Sequence, residues 1–253
     1  KSHALLYDTA AGIDEQINIA NSVIIPSLQK AGIGRIDKLV ISHGDNDHSG
    51  GVSAILDKLS VGVVYGSDSV TIPVSSDFQL NSCVRGLDWI WDEVRFQFLN
   101  PGSVFNDANN NSCVLRVSAA NGSVLLPGDI ELEAEIELSA RYRELLASEV
   151  LIAPHHGSQS SSSYAFIKRV QPRFVVYSSG YKNQFAHPAA AVETKYASYD
   201  AIGFSTAATG MLKFDMSNGE STTYVHSHRH ENQKYGRHQA CAESADMFRE
   251  PLN

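Results

Sequence analysis

The sequence predicts an α/β fold, and two observations carry that expectation. Short apolar runs of strand character alternate, along most of the 253 residues, with segments whose apolar positions recur at helical spacing. The residues richest in chemistry stand just after strand-like runs, in turns, where layered α/β folds normally build their sites. His43 follows Ile41-Ser42, Asp129 follows Leu125-Leu126, and His155-His156 follow Leu151-Ile152-Ala153. Three polar clusters at equivalent positions are much harder to dismiss than one.

The elements follow in order. Ala4 to Tyr7 reads as an apolar strand. Asp14 to Lys30 reads as a helix with Ile17, Ala20, Ile24 and Leu28 on one face, entered from Gly12 and closed by Gly32. Leu39 to Ser42 is a buried strand, Val52 to Leu59 a helix stripe, and Val61 to Tyr65 a return to strand. Residues 67 to 88 are rich in Ser, Asp and Pro and show no period. Val94, Phe96 and Phe98 alternate as in a strand, and Asn106 to Asn111 is a polar turn ahead of a strand over Cys113 to Val117. Ser123 to Leu126 is another strand, ending at Pro127-Gly128-Asp129. The length of Glu131 to Leu146 favours a helix. Strands over Val150 to Ala153, Phe174 to Tyr177, Ile202 to Phe204 and Met211 to Phe214 complete the pattern. One domain is expected over residues 1–217. Residues 218–253 read as a polar C-terminal tail with too little apolar content to order itself.

Bulk properties narrow the function. With 20 basic against 28 acidic residues the net charge is −8, which excludes an electrostatic nucleic-acid clamp over the whole surface. No apolar run approaches the ~18 residues that cross a bilayer. Three cysteines (Cys83, Cys113, Cys241) are too few for a disulfide scaffold, although Cys83 and Cys113 can pair in an oxidising compartment if the fold brings them together. The abrupt start on a strand suggests a piece of something longer.

The most informative stretch is His43-Gly44-Asp45-Asn46-Asp47-His48, four candidate metal ligands in six residues at a strand-to-helix turn. Carboxylates held that close repel one another unless a cation or protons lie between them. A metal centre is therefore the simplest reading.

At this point the chain resembles a known family. The run ISHGDNDHSGG (Ile41 to Gly51) is similar to the signature loop of the metallo-β-lactamase fold. Within that superfamily it most resembles the C-terminal domain of ComEC-type DNA-uptake channel proteins. Further matching motifs are LLYDT at Leu5 to Thr9, CxxGxxWIWD in spaced form at Cys83 to Asp92, NNNSCVL at Asn109 to Leu115 and LLPGDIE at Leu125 to Glu131. APHHGSQSSSS at Ala153 to Ser163 and SSGYKNQFAHP at Ser178 to Pro188 continue the match. The resemblance implies an αβ/βα sandwich with two metal ions at one edge of facing sheets. It implies His43 and Asp45 as ligands of the first metal, Asp47 and His48 as ligands of the second, and Asp129 as the bridging carboxylate. His155 or His156 supplies a further ligand, with His156 favoured; strand alternation does not separate the two. Asp8 resembles a residue that orients ligands.

Two departures matter. The superfamily's usual second His is Asp45 here, and its third-motif His falls near Asn109 to Ser112. Oxygen replaces imidazole in the first site, which moves preference from Zn²⁺ toward Mn²⁺ or Mg²⁺. A pair of cations ~3.5–4 Å apart can hold a hydroxide nucleophile and neutralise a phosphorane-like transition state. His187 is expected to bind a phosphate oxygen or protonate the leaving group, with Ser158 and Asn183 as further phosphate contacts.

The expected function is a metal-dependent phosphodiesterase, more narrowly a nuclease that degrades the non-transported strand of DNA during natural transformation. Its implied partners are single-stranded DNA, the transmembrane channel portion of the same polypeptide and other competence DNA-uptake proteins. Its implied place is the inner (plasma) membrane, with this domain on the periplasmic or exofacial side. Two rivals keep the same loop: a hydrolase of a small phosphoester or lactone, and a non-catalytic structural or DNA-guiding domain. Trp89 and Trp91 read as strand packing rather than a base-stacking platform, and His226, His228 and His230 as a frayed polar terminus rather than a metal site.

Overall fold

The computed structural model describes residues 3–14, 17–72, 78–216 and 224–231. Its contacts divide the chain into two compact units: residues 1–92, 97–115 and 127–130 form unit 1, and residues 93–96, 116–126 and 131–253 form unit 2.

Unit 1 is built on a parallel sheet. It comprises β1 (Leu5–Tyr7), α1 (Ile25–Lys30), β2 (Arg35–Ile41), α2 (Asn46–Ser49), α3 (Val52–Lys58), β3 (Ser60–Gly66), β4 (Leu80–Ser82) and β5 (Asp88–Trp91). The first four strands lie in the order β1-β2-β3-β4, all parallel, with Leu6 opposite Leu39 and Val64 opposite Leu80. Parallel pairing brings the C-terminal ends of all four strands to one edge. Asp8, His43, Ser67 and Cys83 each follow one of those ends. Ile36, Leu39, Ile41, Ile55 and Val64 are buried beneath them together with Ala20 and Val52. Each fully buried aliphatic side chain of this kind contributes roughly 1.5–3 kcal/mol.

The expected helix over Asp14 to Lys30 starts late. The Asp14 carboxylate accepts from Ile17 N at 2.7 Å and the Asn18 side chain from Asn21 N at 2.8 Å. These local bonds hold a turn where helix was expected. A π-helical turn (Ala20–Ile24) then leads into α1, and Ile17, assigned to the buried face, is 61% exposed. The strand β4 was illegible because three residues on a sheet edge have too few positions to show a period. Cys83 and Cys113 are joined by a disulfide with Cα atoms 5.8 Å apart. Packing accounts for the two tryptophans: Trp89 stacks on Tyr65 and meets Phe98, Trp91 stacks on His3, and the Lys38 ammonium covers Tyr65 and Trp89.

Unit 2 includes the first residues of β6 (Val94–Phe98), most of β7 (Leu115–Ala119) and β8 (Gly122–Leu126). It continues with α4 (Leu132–Tyr142), β9 (Val150–Ile152), α5 (Tyr164–Val170), β10 (Phe174–Tyr177), α6 (Ala190–Ala197) and β11 (Ile202–Ser205). The short α7 (Thr206–Thr209), β12 (Leu212–Asp215), β13 (Tyr224–Ser227) and α8 (His228–Glu231) follow. Strands β8, β9, β10 and β11 are parallel neighbours, with Phe174 between Val150 and Ile202. Val150, Phe174, Val176 and Phe204 form the buried centre of this unit. The expected helix over Glu131 to Leu146 is α4 followed by a 3-10 turn, the break falling at Arg143 (φ 44°).

The tail expected from residue 218 contains ordered structure where it is described. The strand β13 pairs antiparallel with β12, and Val225 packs on the Phe174–Phe204 cluster, which gives an edge strand both hydrogen bonds and an apolar contact. His226 lies in that strand while His228 and His230 lie in α8, so the alternation of the three histidines does not line one strand face. Residues 217–223 and 232–253 fall outside the described residues.

Candidate metal centre

At the C-terminal edge of the unit 1 sheet, one carboxylate organises the loop after β2. Asp8 has φ 61°, and its N–H donates to Val40 O at 2.8 Å. Its carboxylate accepts from Ser42 N at 2.7 Å and Ser42 Oγ at 3.0 Å, and lies 2.8 Å from His48 Nδ1. Thr9 fixes the other side of the loop, donating to His48 O from both N (2.7 Å) and Oγ1 (2.9 Å). The turn of helix α2 is thereby pinned, and His48 is presented with one ring nitrogen held and the other directed inward.

His43, His48 and Asp129 converge. Each offers one ligand atom, and the three atoms lie within 4.8 Å of one another. The imidazoles of His43 and His48 have ring centroids 4.2 Å apart, and His48 Nε2 is 3.2 Å from Asp129 Oδ1. His43 is wholly buried, its Nδ1 is 3.0 Å from Ser42 Oγ, and its Nε2 has no hydrogen-bond partner. A buried polar atom left without a partner calls for an explanation, and a cation on that lone pair supplies one. Asp45 and Asp47 are more than half exposed, with side-chain oxygens 3.6 Å from His43 Nε2 and 3.9 Å from His48 Nε2 respectively. The geometry groups His43 with His48 and Asp129, and it also brings Asp47 within ligand range of His48.

The electrostatics fit a divalent ion. Burial, together with the neighbouring His48 charge, pushes His43 down from the ordinary histidine value against the pull of Asp129, Asp45 and Asp8, so the ring is a neutral donor. For His48 burial opposes the charge, but the hydrogen bonds to Asp129 and Asp8 and their charges outweigh it and lift the group to about 11. A proton on His48 thus occupies a place between two carboxylates that a metal ion can take instead.

Asp129 owes its position to Gly128 and Ser112. Gly128 has φ 62°, and a Cβ there would stand 2.7 Å from the Ser112 Cβ. Ser112 Oγ accepts from Asp129 N at 3.1 Å and lies 3.5 Å from His43 Nδ1. Tyr7, next to Asp8, donates to Cys113 O, and burial raises its phenol well above the usual value with help from Asp8 and Asp129. Ser42 and Ser112 were not foreseen as parts of this centre. Their signal is only their placement directly before His43 and inside the Asn109 to Leu115 motif.

In unit 2 the loops after β9 and β10 carry the remaining expected residues. His155 and His156 are not on a strand, as the alternation argument assumed, but in a 3-10 turn (Pro154–Gly157) with φ of 47° and 56°. Two consecutive non-glycine residues in the left-handed region mark a strained turn of the kind found at functional sites. The turn sends the two rings to different partners. His155 Nδ1 lies 2.9 Å from Glu131 Oε1, and His156 Nδ1 donates to Ser178 O at 2.8 Å. Ser160 Oγ also donates to Glu131, at 2.7 Å, making Glu131 a positioning residue that sequence reasoning missed although it ends the LLPGDIE motif. The His187 ring lies 5.7 Å from that of His155 and 6.4 Å from that of His156, and stacks on Phe185. Asn183 is spent on backbone: its Oδ1 accepts from His187 N at 2.9 Å and its Nδ2 donates to His187 O at 2.6 Å. It shapes the loop that presents His187, which departs from the expected phosphate contact. Ser158 Oγ lies 3.0 Å from Ser160 Oγ.

Residues 1–180 match the metallo-beta-lactamase superfamily. Over 216 residues the chain is 38% identical to Competence protein ComA of Neisseria gonorrhoeae, covering 85% of this chain and 30% of that protein. It is 35% identical to Recombination protein 2 of Haemophilus influenzae, covering 83% of this chain and 26% of that protein. With ComE operon protein 3 of Bacillus subtilis the identity is 29%, over 68% of this chain and 23% of that protein. The chain therefore spans less than a third of the length of these relatives. Among solved structures, the metallo-beta-lactamase fold protein YhfI from Bacillus subtilis aligns with a TM-score of 0.49 at 10% identity, covering 80% of this chain and 84% of that one.

Proposed function

The chain belongs to the metallo-β-lactamase superfamily, and from that premise we propose that it is a metal-dependent phosphodiesterase that cleaves single-stranded DNA. The observation that carries this reading is the buried, unpartnered His43 Nε2 facing the same point as His48 and Asp129. These three residues would hold a divalent ion, with Asp45 and Asp47 on the open side. Mn²⁺ suits the oxygen-rich set better than Zn²⁺. When bound, divalent ions supply positive charge for phosphoryl oxygens and lower the pKa of a water nucleophile.

The chain's own residues do the rest. Asp8 and Ser42 hold His48 in one orientation, and Glu131 does the same for His155. His187 protonates the leaving oxygen of the broken ester. With a net charge of −8 the domain binds DNA weakly by itself, so delivery falls to the remaining parts of a longer polypeptide and to other uptake proteins. The name of the Neisseria gonorrhoeae relative, Competence protein ComA, supports a role in competence; within that role the proposed activity is degradation of the strand that is not transported. Among the described residues no helix is long and apolar enough to cross a membrane. The Cys83–Cys113 disulfide supports an oxidising, exofacial or periplasmic setting.

The test is cleavage of end-labelled single-stranded DNA with Mn²⁺, Mg²⁺ or Zn²⁺, comparing wild type with Asp129→Ala. Metal-dependent cleavage that falls by about a hundredfold or more in the variant is expected, because removing a carboxylate that would touch the ion costs more than the roughly 10–100-fold lost when a residue that only orients a ligand is changed. A folded, metal-loaded protein that cleaves with none of these ions sinks the proposal.

A further inference from the structure

The loop of unit 2 between β10 and α6 holds two large aromatic rings out in solvent. Tyr181 is 76% exposed and Phe185 67% exposed. Among the described residues no other phenylalanine is exposed. Apolar surface grouped in this way marks an interaction site, whereas a ring packed into the fold does not. Trp89 and Trp91 are of the packed kind.

The backbone beneath the two rings is fixed. Asn183 N donates to Gly180 O at 3.3 Å and Ala186 N donates to Asn183 O at 3.2 Å, so Tyr181 and Phe185 stand on two consecutive turns. The Asn183 side chain ties both turns down, through Gly180 O at 3.2 Å and the two bonds to the His187 backbone. Farther on, Ala189 N donates to Gly157 O at 3.0 Å, and a Cβ at Gly157 would stand 2.9 Å from the Pro188 Cβ. The loop is thereby fastened to the turn that carries His155 and His156. Rings held in advance lose little freedom when a ligand stacks on them.

The local charge suits an anionic ligand although the whole chain is acidic. No acidic residue lies between Glu149 and Glu193 in a sequence that has 28 of them. Within the loop Lys182 is exposed, and its ammonium stands 5.4 Å from the centroid of the Tyr181 ring. Phe185 stacks on His187, with centroids 5.7 Å apart and planes 19° from parallel, so its exposed area lies away from that histidine. Exposed rings beside a cation are what unpaired bases on a phosphate backbone require, and a duplex hides the base faces that would stack. We propose that Tyr181 and Phe185 form a stacking platform for single-stranded nucleic acid, with Lys182 on an adjoining phosphate. The platform rests on the nuclease reading for its substrate class and names where unit 2 grips the strand beside His187.

The test is fluorescence anisotropy of the metal-free chain at low salt, with labelled oligothymidylate and with an abasic strand of the same length and charge. Wild type is expected to bind oligothymidylate about tenfold or more tightly than the abasic strand. Tyr181→Ala and Phe185→Ala each weaken oligothymidylate binding by about 5- to 100-fold, the range for one lost base stack, and leave abasic binding as it was. Phe185→Trp, which keeps a ring, retains the preference. Lys182→Ala weakens both strands alike, because a phosphate contact reads no base. Tyr181 makes none of the hydrogen bonds that shape the loop, and circular dichroism checks the fold of every variant. Equal affinity of wild type for the two strands, no binding of either, or alanine variants that bind as wild type does overturns the platform. Base-dependent binding that the variants weaken, in a protein that cleaves DNA with no metal ion, upholds the platform and sinks the nuclease reading instead.

Discussion

Opening the Cys83–Cys113 bridge lowers the stability of unit 1 by about 3.6 kcal/mol on loop-closure grounds. The bridge joins residues 30 apart in sequence. The entropy removed from the unfolded chain by a loop of that length is about 12 cal/mol/K, which at 25 °C gives the about 3.6 kcal/mol expected. Both cysteines are buried, so their packing adds to the loss. The measurement is urea unfolding with and without a phosphine reductant, in a Cys241→Ser background so that only these two sulfurs respond. Trp89 and Trp91 are the only tryptophans and both lie in unit 1, so indole emission follows the unfolding of that part of the chain. With urea m-values of about 1–3 kcal/mol/M, the midpoint falls by roughly 1–4 M. The effect reaches the metal group, because Cys113 N donates to Ser42 O at 2.9 Å and Ser112 holds Asp129. A midpoint that reduction leaves in place would refute the reasoning.

Two further changes probe the centre itself. Asp8→Asn keeps the size of the side chain but removes the charge facing His48 Nδ1 at 2.8 Å, and Mn²⁺ affinity measured by calorimetry falls about 10–100-fold with the circular dichroism spectrum unchanged. Wild-type affinity in that variant would show that Asp8 does not orient the ligand. Gly128→Ala forces a Cβ to within 2.7 Å of Ser112 and 2.9 Å of Ser42 at φ 62°, and destabilises unit 1 by about 2–4 kcal/mol in the same urea assay. An alanine variant as stable as wild type would mean that the three loops do not approach as closely as the geometry requires.

Where the sequence was legible, a period long enough to count was present. Strands β2 and β3 and helix α3 pack side chains at regular spacing on a shared core, and their expected positions agree with the structure to within a few residues. The misreadings have local causes. Side-chain bonds from Asp14 and Asn18 compete with the helix over residues that carry helical apolar spacing, and Ile17 is left outside. Strand β13 was read as tail because its apolar content is small, yet pairing to β12 orders it through backbone bonds that no hydropathy pattern records. The disulfide was compatible with the sequence but not specified by it, since only the fold brings Cys83 and Cys113 together.

The cluster of ligand-type residues stood out in the sequence for a different reason: two His and two Asp in six residues crowd charge that a cation or protons relieve. Its internal order did not. Reading ligands by their position in the loop treats each side chain as equally free to reach a metal, whereas burial sorts them. His43 and His48 point into the protein and Asp45 and Asp47 point out, because the one-turn helix α2 and the Asp8–Ser42 bonds set the direction of each residue before any ion arrives. The same logic applies in unit 2, where a left-handed turn gives His155 to Glu131 and His156 to Ser178, a division that period-two alternation does not produce. Residue type announces that a site exists; the hydrogen bonds made by serines, a glycine and a second carboxylate decide which lone pairs remain to be used.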